Sequence, residues 1–457
     1  MIIEQLYTNC LAEAAYYIES EGEAAIIDPI RETEPYLQKL GSRKAKLKYV
    51  FETHFHADFV SGHLDLAKKT GAEIVFGPLA DPKYKIHSAR DGEHFSVGKV
   101  RLKVLHTPGH TPESSCFLLV DENGKDHCVF TGDTLFVGDV GRPDLLDGVI
   151  TKEELAGNLY DSLNNKIKTL ADSVIVYPAH GPGSACGKNI GSETWSTIGL
   201  QKKTNYALQD MSKEKFTQLV AGDLSAPPSY FFNDASINKN GYANIDQVLE
   251  QNTKALSPEE FQKEIDKGAL VLDNRNPEIF EKEFIPGSIN IGLQGQFAIW
   301  AGTLIDIKQP LLIIAEQGKE TESILRLARV GYENVKGILQ GGIQHWKQKG
   351  MPLDSIQSIS AEKFAQLIKA NQPAILDVRK PSEYMQGHLE GAENSELAAL
   401  NNNIDKLDKN QNYYVHCAGG YRSMIAASML KAKGFKKIIN VSGGYLGVMA
   451  CLPKAQA

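Results

Sequence analysis

Residues 257 to 444 carry the same pattern twice, and this limits the possible folds more than any other feature of the chain. Ser257-Pro-Glu-Glu-Phe261 matches Ser360-Ala-Glu-Lys-Phe364, Asp273-Asn-Arg275 matches Asp377-Val-Arg379, Gly287-Ser-Ile-Asn290 matches Gly391-Ala-Glu-Asn394, and Gly341-Gly342 matches Gly443-Gly444. The offset stays between 102 and 104 residues. Two copies of ~100 residues make a pair of domains, whereas a solenoid stacks several shorter repeats. Each copy opens with a serine before an amphipathic helix, and Ser257 with Glu260 has capping-box spacing. Buried strands follow (LVLDNR and AILDVR, then LLIIAEQ and YYVHCAG), and a helix and a short strand lead to the Gly pair. Both copies read as small α/β domains with parallel sheets.

At ~150 residues per domain, 457 residues suggest three. The chain ahead of the repeat is therefore one larger domain. Its apolar, β-branched runs (AAIIDP, LKYVFETH, AEIVFGP, CVFTGDTLF, SVIVYPAHG) alternate with helical stretches, and most lead into a polar residue at the carboxyl end. Such ends are where α/β sheets place their chemistry. The turn-rich PPSYFFNDASINKNG (227 to 241) marks its edge. The expected domains are 1–245, 250–352 and 356–457.

A net charge of −7 gives no field for polyanions, which argues against nucleic acid and anionic membrane as partners. Six dispersed cysteines without a CxxC pair indicate neither a disulfide scaffold nor a thiolate zinc finger. With no apolar run of ~20 residues and no signal-like start, the expectation is a cytoplasmic protein. Nine of the twelve histidines lie between His54 and His180, so any metal chemistry belongs to the first domain.

Thr53-His54-Phe55-His56-Ala57-Asp58 follows the run LKYVFE directly. His110 (TPGH), Asp133 (TGD) and His180 (YPAH) hold comparable places after other strands. Any one alone is an ordinary loop residue; four in this order point to metal ligation. The set resembles the metallo-β-lactamase superfamily, which implies an αβ/βα sandwich and, normally, a dinuclear site. Phe59 stands where that motif carries a second-site His. His54, His110 and Asp133 remain as two imidazoles and one carboxylate, a set natural to mononuclear non-haem Fe(II). The order TPGH, TGDTLF, Gly141-Arg142, YPAH is similar to the persulfide (sulfur) dioxygenase branch. That resemblance implies His54, His110 and Asp133 as ligands of one Fe(II) per chain. It also implies His56, Asp58 and His180 as surrounding groups, and Arg142 as partner to the carboxylate of a thiol-bearing substrate. Tyr177 is a candidate hydroxyl donor toward substrate. Cys186, in a small-residue loop after His180, could accept sulfur or simply be a buried small residue.

Tyr413-Tyr-Val-His-Cys417-Ala-Gly-Gly-Tyr-Arg422 is a strand, a loop and a helix start. A thiol there faces backbone N–H groups and a helix amino terminus, both of which favour the thiolate, and Arg422 adds a cation. With Asp377-Val-Arg379, Glu383-Tyr384, Gly387-His388, Gly391-Ala392 and Gly443-Gly444, this loop resembles the rhodanese family, which makes Cys417 a persulfide-carrying nucleophile. The first copy reads Glu316-Gln-Gly-Lys-Glu-Thr321 at this loop and lacks a thiol, so it is expected to be inactive.

The joined expectation is a persulfide dioxygenase fused to two rhodanese-like domains, the second active. It would oxidise a low-molecular-weight persulfide with O2 to sulfite and thiol and exchange sulfur with sulfite or thiosulfate, in sulfide detoxification. A homodimer or homotetramer is expected from the resemblance. The alternative is a dinuclear zinc thioester hydrolase of the glyoxalase II type.

Overall fold

A computed structural model describes residues 1–146 and 148–452. The chain forms two compact units, Met1–Val248 with Ala328–Gly331, and the remainder from Leu249.

The first unit is a sandwich of two six-stranded sheets. One runs in the order Ile2–Thr8, Glu13–Ser20, Glu23–Ile27, Lys46–Glu52, Glu73–Phe76, His87–Ser88. The other runs Ser196–Thr197, Ile175–Pro178, Asp126–Gly132, Ser115–Val120, Val100–His106, His94–Val97. The strand Ser115–Val120 shows why its sequence lacks a polar face: every residue is buried. Successive side chains point to opposite faces. Phe117 and Leu119 enter the layer between the sheets with Tyr16, Ile27, Phe51 and Phe130, while Cys116 and Leu118 face Leu159, Leu163 and Phe216 of a helical layer. On the other flank Ile74 and Phe76 pack with Leu64 and Ala67 of the helix His63–Thr70. The result is the αβ/βα layering expected from the sequence. Each buried Phe or Leu contributes about 1.5–3 kcal/mol.

The second unit holds two five-stranded, all-parallel sheets with the same strand order. In chain order within each copy the strands are Ala255–Leu256, Leu270–Asp273, Ile289–Asn290, Leu311–Ile314 and Val335–Leu339, then Gln357–Ser360, Ala374–Asp377, Ala392–Asn394, Tyr413–His416 and Ile438–Ser442. The repeated Asp-x-Arg motif is an internal brace. Arg275 and Arg379 each donate through Nε and Nη2 to the aspartate two residues earlier, with closest approaches of 2.6 Å. Asn290 and Asn394 donate to the backbone carbonyls of the same Asp and Arg. The Ser257–Glu260 capping box is formed. Among the described residues no helix is long and apolar enough to cross a membrane.

Candidate functional site

Four strand ends of the first unit converge. Lys46–Glu52 delivers Thr53 to Asp58, Val100–His106 leads to His110, Asp126–Gly132 to Asp133, and Ile175–Pro178 to His180. The close approach depends on two glycines. Gly132 lies at φ +51°, where a Cβ would stand 2.6 Å from the Thr53 side chain. A Cβ on Gly141 would meet the Asp133 carbonyl at 2.1 Å and His110 Nδ1 at 3.0 Å. All six histidine and aspartate residues are buried.

His110 Nε2 lies 3.4 Å and His54 Nε2 3.9 Å from Asp133 Oδ2. The other oxygen, Oδ1, is 3.5 Å from His180 Nε2, which is also 3.5 Å from Asp58 Oδ2. Asp133 thus faces two clusters of donors, His54 with His110 and His180 with Asp58. Hydrogen bonds set which ring nitrogens are available. His110 Nδ1 donates to the Arg142 carbonyl at 2.7 Å, and His180 Nδ1 approaches the Ala12 carbonyl at 3.3 Å. The Thr53 hydroxyl donates to Asp28 Oδ2 at 2.9 Å, so its oxygen accepts from His54 Nδ1, also at 2.9 Å. In His110 and His54 the proton therefore sits on Nδ1, because the carbonyl and the committed Thr53 oxygen can only accept, and the Nε2 lone pair is left free.

Among the described residues, the buried atoms His110 Nε2, His180 Nε2, Asp58 Oδ1 and both Asp133 carboxylate oxygens have no hydrogen-bond partner. Buried polar atoms are ordinarily paired, and orphaned carboxylate and imidazole lone pairs aimed at one another fit a divalent cation. Burial, and then the neighbouring imidazoles, push His54 well down, which keeps it the neutral imidazole that ligation needs. For His180 burial pulls the other way, but the carboxylates of Asp133 and Asp58 outweigh it and raise the group. Burial raises Asp58 against the pull of His180 and His56.

His56 is fully buried with Nε2 3.1 Å from Asp28 Oδ1 and 3.5 Å from Glu52 Oε2, and the Phe59 ring lies against it at 4.3 Å. Behind it Glu52 accepts from the Ser61 hydroxyl and contacts His63 Nδ1 at 2.9 Å. Sequence reasoning passed over Asp28, Thr53, Glu52 and His63. For Asp28, Glu52 and Thr53 the available signal was their place at the ends of the apolar runs AAIIDP and LKYVFETH; His63 lies in neither run.

Three other expected residues fare differently. Arg142 is 4% exposed, and its guanidinium is spent internally. Nε and Nη2 donate to Asp144 at 2.6 and 2.8 Å, and the remaining bonds go to the carbonyls of Ala185 and Ser225. These bonds tie the guanidinium to the segments that carry Asp144, Ala185 and Ser225. Tyr177 packs with Phe130 and Tyr16 at 5.6 and 5.3 Å, because strand alternation turns Val176 to the helices and Tyr177 into the intersheet layer. Cys186 is brought to the cluster, with Sγ, a carboxylate oxygen of Asp133 and a nitrogen of His180 all within 4.8 Å of one another.

In the second unit Cys417 is 2% exposed, and its Sγ accepts from the Gly420 N–H at 3.1 Å at the start of the helix Tyr421–Ala432. Arg422 forms a two-pronged pair with Glu383 at 2.6 and 2.8 Å, which raises its already high pKa further, with a smaller contribution from Cys417. Strand register corrects the expected match in the first copy. Asp273 pairs with Ile314 as Asp377 pairs with His416, so Ala315, one residue before Glu316, is the counterpart of Cys417. The conclusion that this copy has no thiol stands.

The rhodanese-like domain family matches residues 257–349 and 360–451, and the metallo-β-lactamase superfamily matches residues 8–180. A probable hydroxyacylglutathione hydrolase of Schizosaccharomyces pombe is 34% identical over 165 residues, 35% of this chain and 60% of that protein. The mitochondrial persulfide dioxygenase ETHE1 of Homo sapiens is 32% identical over 210 residues, 45% of this chain and 73% of that protein. A crystal structure of a metallo-β-lactamase from Staphylococcus aureus superposes with a TM-score of 0.66 at 32% identity, covering 74% of this chain and 98% of that one. The chain belongs to the metallo-β-lactamase superfamily, and two rhodanese-like domains follow that domain.

Proposed function

We propose that the chain is a non-haem Fe(II) persulfide dioxygenase coupled to sulfur transfer at Cys417. The observation that carries this reading is the approach of His54 and His110 Nε2 to Asp133 Oδ2, with His110 Nε2 and both Asp133 oxygens lacking a hydrogen-bond partner among the described residues, in a chain with Phe at position 59. His54, His110 and Asp133 would hold one iron. When bound, ferrous iron supplies the one-electron chemistry that lets dioxygen react with a persulfide sulfur. The residues around it fix the site: Thr53 and the Arg142 carbonyl hold two imidazoles in the ligating tautomer, and burial keeps bulk water out. Overall, one persulfide, one dioxygen and one water give one thiol, one sulfite and two protons. The biological setting we infer is sulfide detoxification.

The rival reading, a dinuclear zinc thioester hydrolase, is favoured by the hydroxyacylglutathione hydrolase relatives and by Asp58 and His180 facing Asp133. Metal analysis of anaerobically purified protein, together with an oxygen-electrode assay on glutathione persulfide, separates the two. One iron per chain with persulfide-dependent oxygen uptake is expected; two zinc ions with thioester cleavage would sink the dioxygenase reading.

Thr53→Val keeps the shape of the side chain and cuts the link between Asp28 and His54. Groups that orient ligands typically matter 10- to 100-fold, so iron affinity is expected to fall by about that factor. Competition with a chelator measures it, and an unchanged affinity would show that His54 needs no such support.

A further inference from the structure

The loop that carries Cys417 is tied at both ends, and the two ties come from different copies of the repeat. At its start the carbonyls of Cys417 and Ala418 accept from the N–H groups of Tyr445 and Leu446 at 2.7 and 3.1 Å, at the head of the helix Gly444–Cys451. At its end Tyr421, the first residue of the helix Tyr421–Ala432, donates from its hydroxyl to the Gly292 carbonyl of the first copy at 2.8 Å. Further along the same helix the Ser428 hydroxyl accepts from the Asn290 N–H of the first copy at 3.0 Å. Between the two ties lie Gly419 and Gly420, and Gly420 occupies the left-handed region at φ +116°. The N–H of Gly420 is the donor to Cys417 Sγ, so the aim of that bond depends on where Tyr421 holds the start of the helix.

The duplication shows what this contact demands. Ile291 and Leu293 donate to the carbonyls of Asp273 and Asn274 as Ser395 and Leu397 donate to those of Asp377 and Val378. Gly295 donates to the Gly292 carbonyl as Ala399 donates to that of Glu396. Gly292 and Gly295 therefore stand where the active copy carries Glu396 and Ala399, and the domain fold requires glycine at neither place. The Tyr421 ring requires it at Gly295, where a Cβ would stand 2.3 Å from the ring Cζ. Strand register makes Lys319 the counterpart of Tyr421, so the ring belongs to the carrier loop alone.

Resting on the sulfur-carrier reading of Cys417, we infer that Tyr421 is a positioning residue for sulfur transfer and that the inactive copy is the fixed support of the carrier loop. In the transfer step the sulfur lone pair of sulfite attacks the outer sulfur of the Cys417 persulfide and forms a new sulfur–sulfur bond. The bond from the outer sulfur to Sγ breaks, its electron pair goes to Sγ, and thiosulfate leaves. Negative charge therefore builds on Sγ, and a donor stabilises it best when it is aimed there in advance. Tyr421 acts through Gly420: its bond to Gly292 holds the helix start, and the helix start holds the Gly420 N–H on Sγ.

The test uses the full chain in the absence of oxygen, with Cys417 loaded by excess cysteine persulfide and desalted. Sulfite then discharges it in a single turnover followed by mass spectrometry of the Cys417 peptide. Tyr421→Phe keeps the ring and loses one hydrogen bond, so the limiting discharge rate is expected to fall about fivefold, while the sulfite concentration giving half that rate changes less than about twofold. Only loaded sites discharge, so a smaller folded fraction cannot lower this rate. Gly295→Ala, which pushes a methyl into the ring, should lower it at least as much, and the double variant no further than the worse single one, because both break the same contact. Asn401→Ala removes a different bond between the copies, to the Leu304 carbonyl at 3.1 Å, and is expected to leave the rate within about twofold of wild type. An unchanged rate in Tyr421→Phe, or an equal loss in Asn401→Ala, overturns the role of Tyr421. Failure of wild-type Cys417 to gain sulfur at all is a separate result and overturns the sulfur-carrier reading beneath it.

Discussion

Replacing Asp133 by Ala is expected to lower iron binding by more than about a hundredfold and to abolish persulfide-dependent oxygen uptake, while leaving the protein folded. Asp133 is the side chain whose two oxygens face both donor clusters, so its loss would remove the proposed iron ligand and the carboxylate that also faces His180. Removal of a ligand exceeds the 10- to 100-fold effect of groups that merely orient one. The fold should tolerate the change because, among the described residues, neither carboxylate oxygen accepts a hydrogen bond from an N–H or O–H donor. Metal-free Asp133→Ala should melt no lower than metal-free wild type, but it should lose the stabilisation that iron confers, about 4 kcal/mol at a thousand times the dissociation constant. Iron content after gel filtration and melting with and without Fe(II) measure both effects. A variant that keeps one iron per chain would remove Asp133 from the ligand set.

The second large effect is at Cys417. Serine is nearly isosteric and its oxygen can still accept from the Gly420 N–H, so the loop and the helix behind it should keep their shape. A hydroxyl cannot carry a sulfane sulfur, and loss of a nucleophile costs on the order of a thousandfold or more. Cys417→Ser is therefore expected to remove sulfur transfer while oxygen uptake from small persulfides changes less than about twofold. The two proposed sites lie in separate compact units, each with its own core. Equal loss of both activities would show that the persulfide consumed at the iron must first pass through Cys417.

Much of this architecture was legible beforehand for a simple physical reason. Strands and helices announce themselves through local periodicity, and the repeated Asp-x-Arg, Gly and serine positions recur because each copy needs the same brace, turn and cap. The ligand candidates were legible because polar residues just past buried strands have few purely structural uses. Arg142 was read toward a substrate, and the sequence offers no way to see that its partners include Ala185 and Ser225, 43 and 83 residues away. Nor does the sequence show that Arg422, the cation expected beside Cys417, is also paired with Glu383, 39 residues earlier. The counterpart of Cys417 was placed one residue late, because only the pairing of parallel strands reveals that the inactive loop follows Ile314 by way of Ala315.

By itself the sequence determined the layered α/β fold, the duplication and the residue types available for chemistry, since these follow from local pattern and spacing along the chain. Tertiary structure alone decided how Asp133 divides its two oxygens, which nitrogen of His54 and of His110 is free, and which residues surround the Cys417 loop. Those properties depend on which distant elements meet, and a side chain's hydrogen bonds and field are set by its neighbours in space.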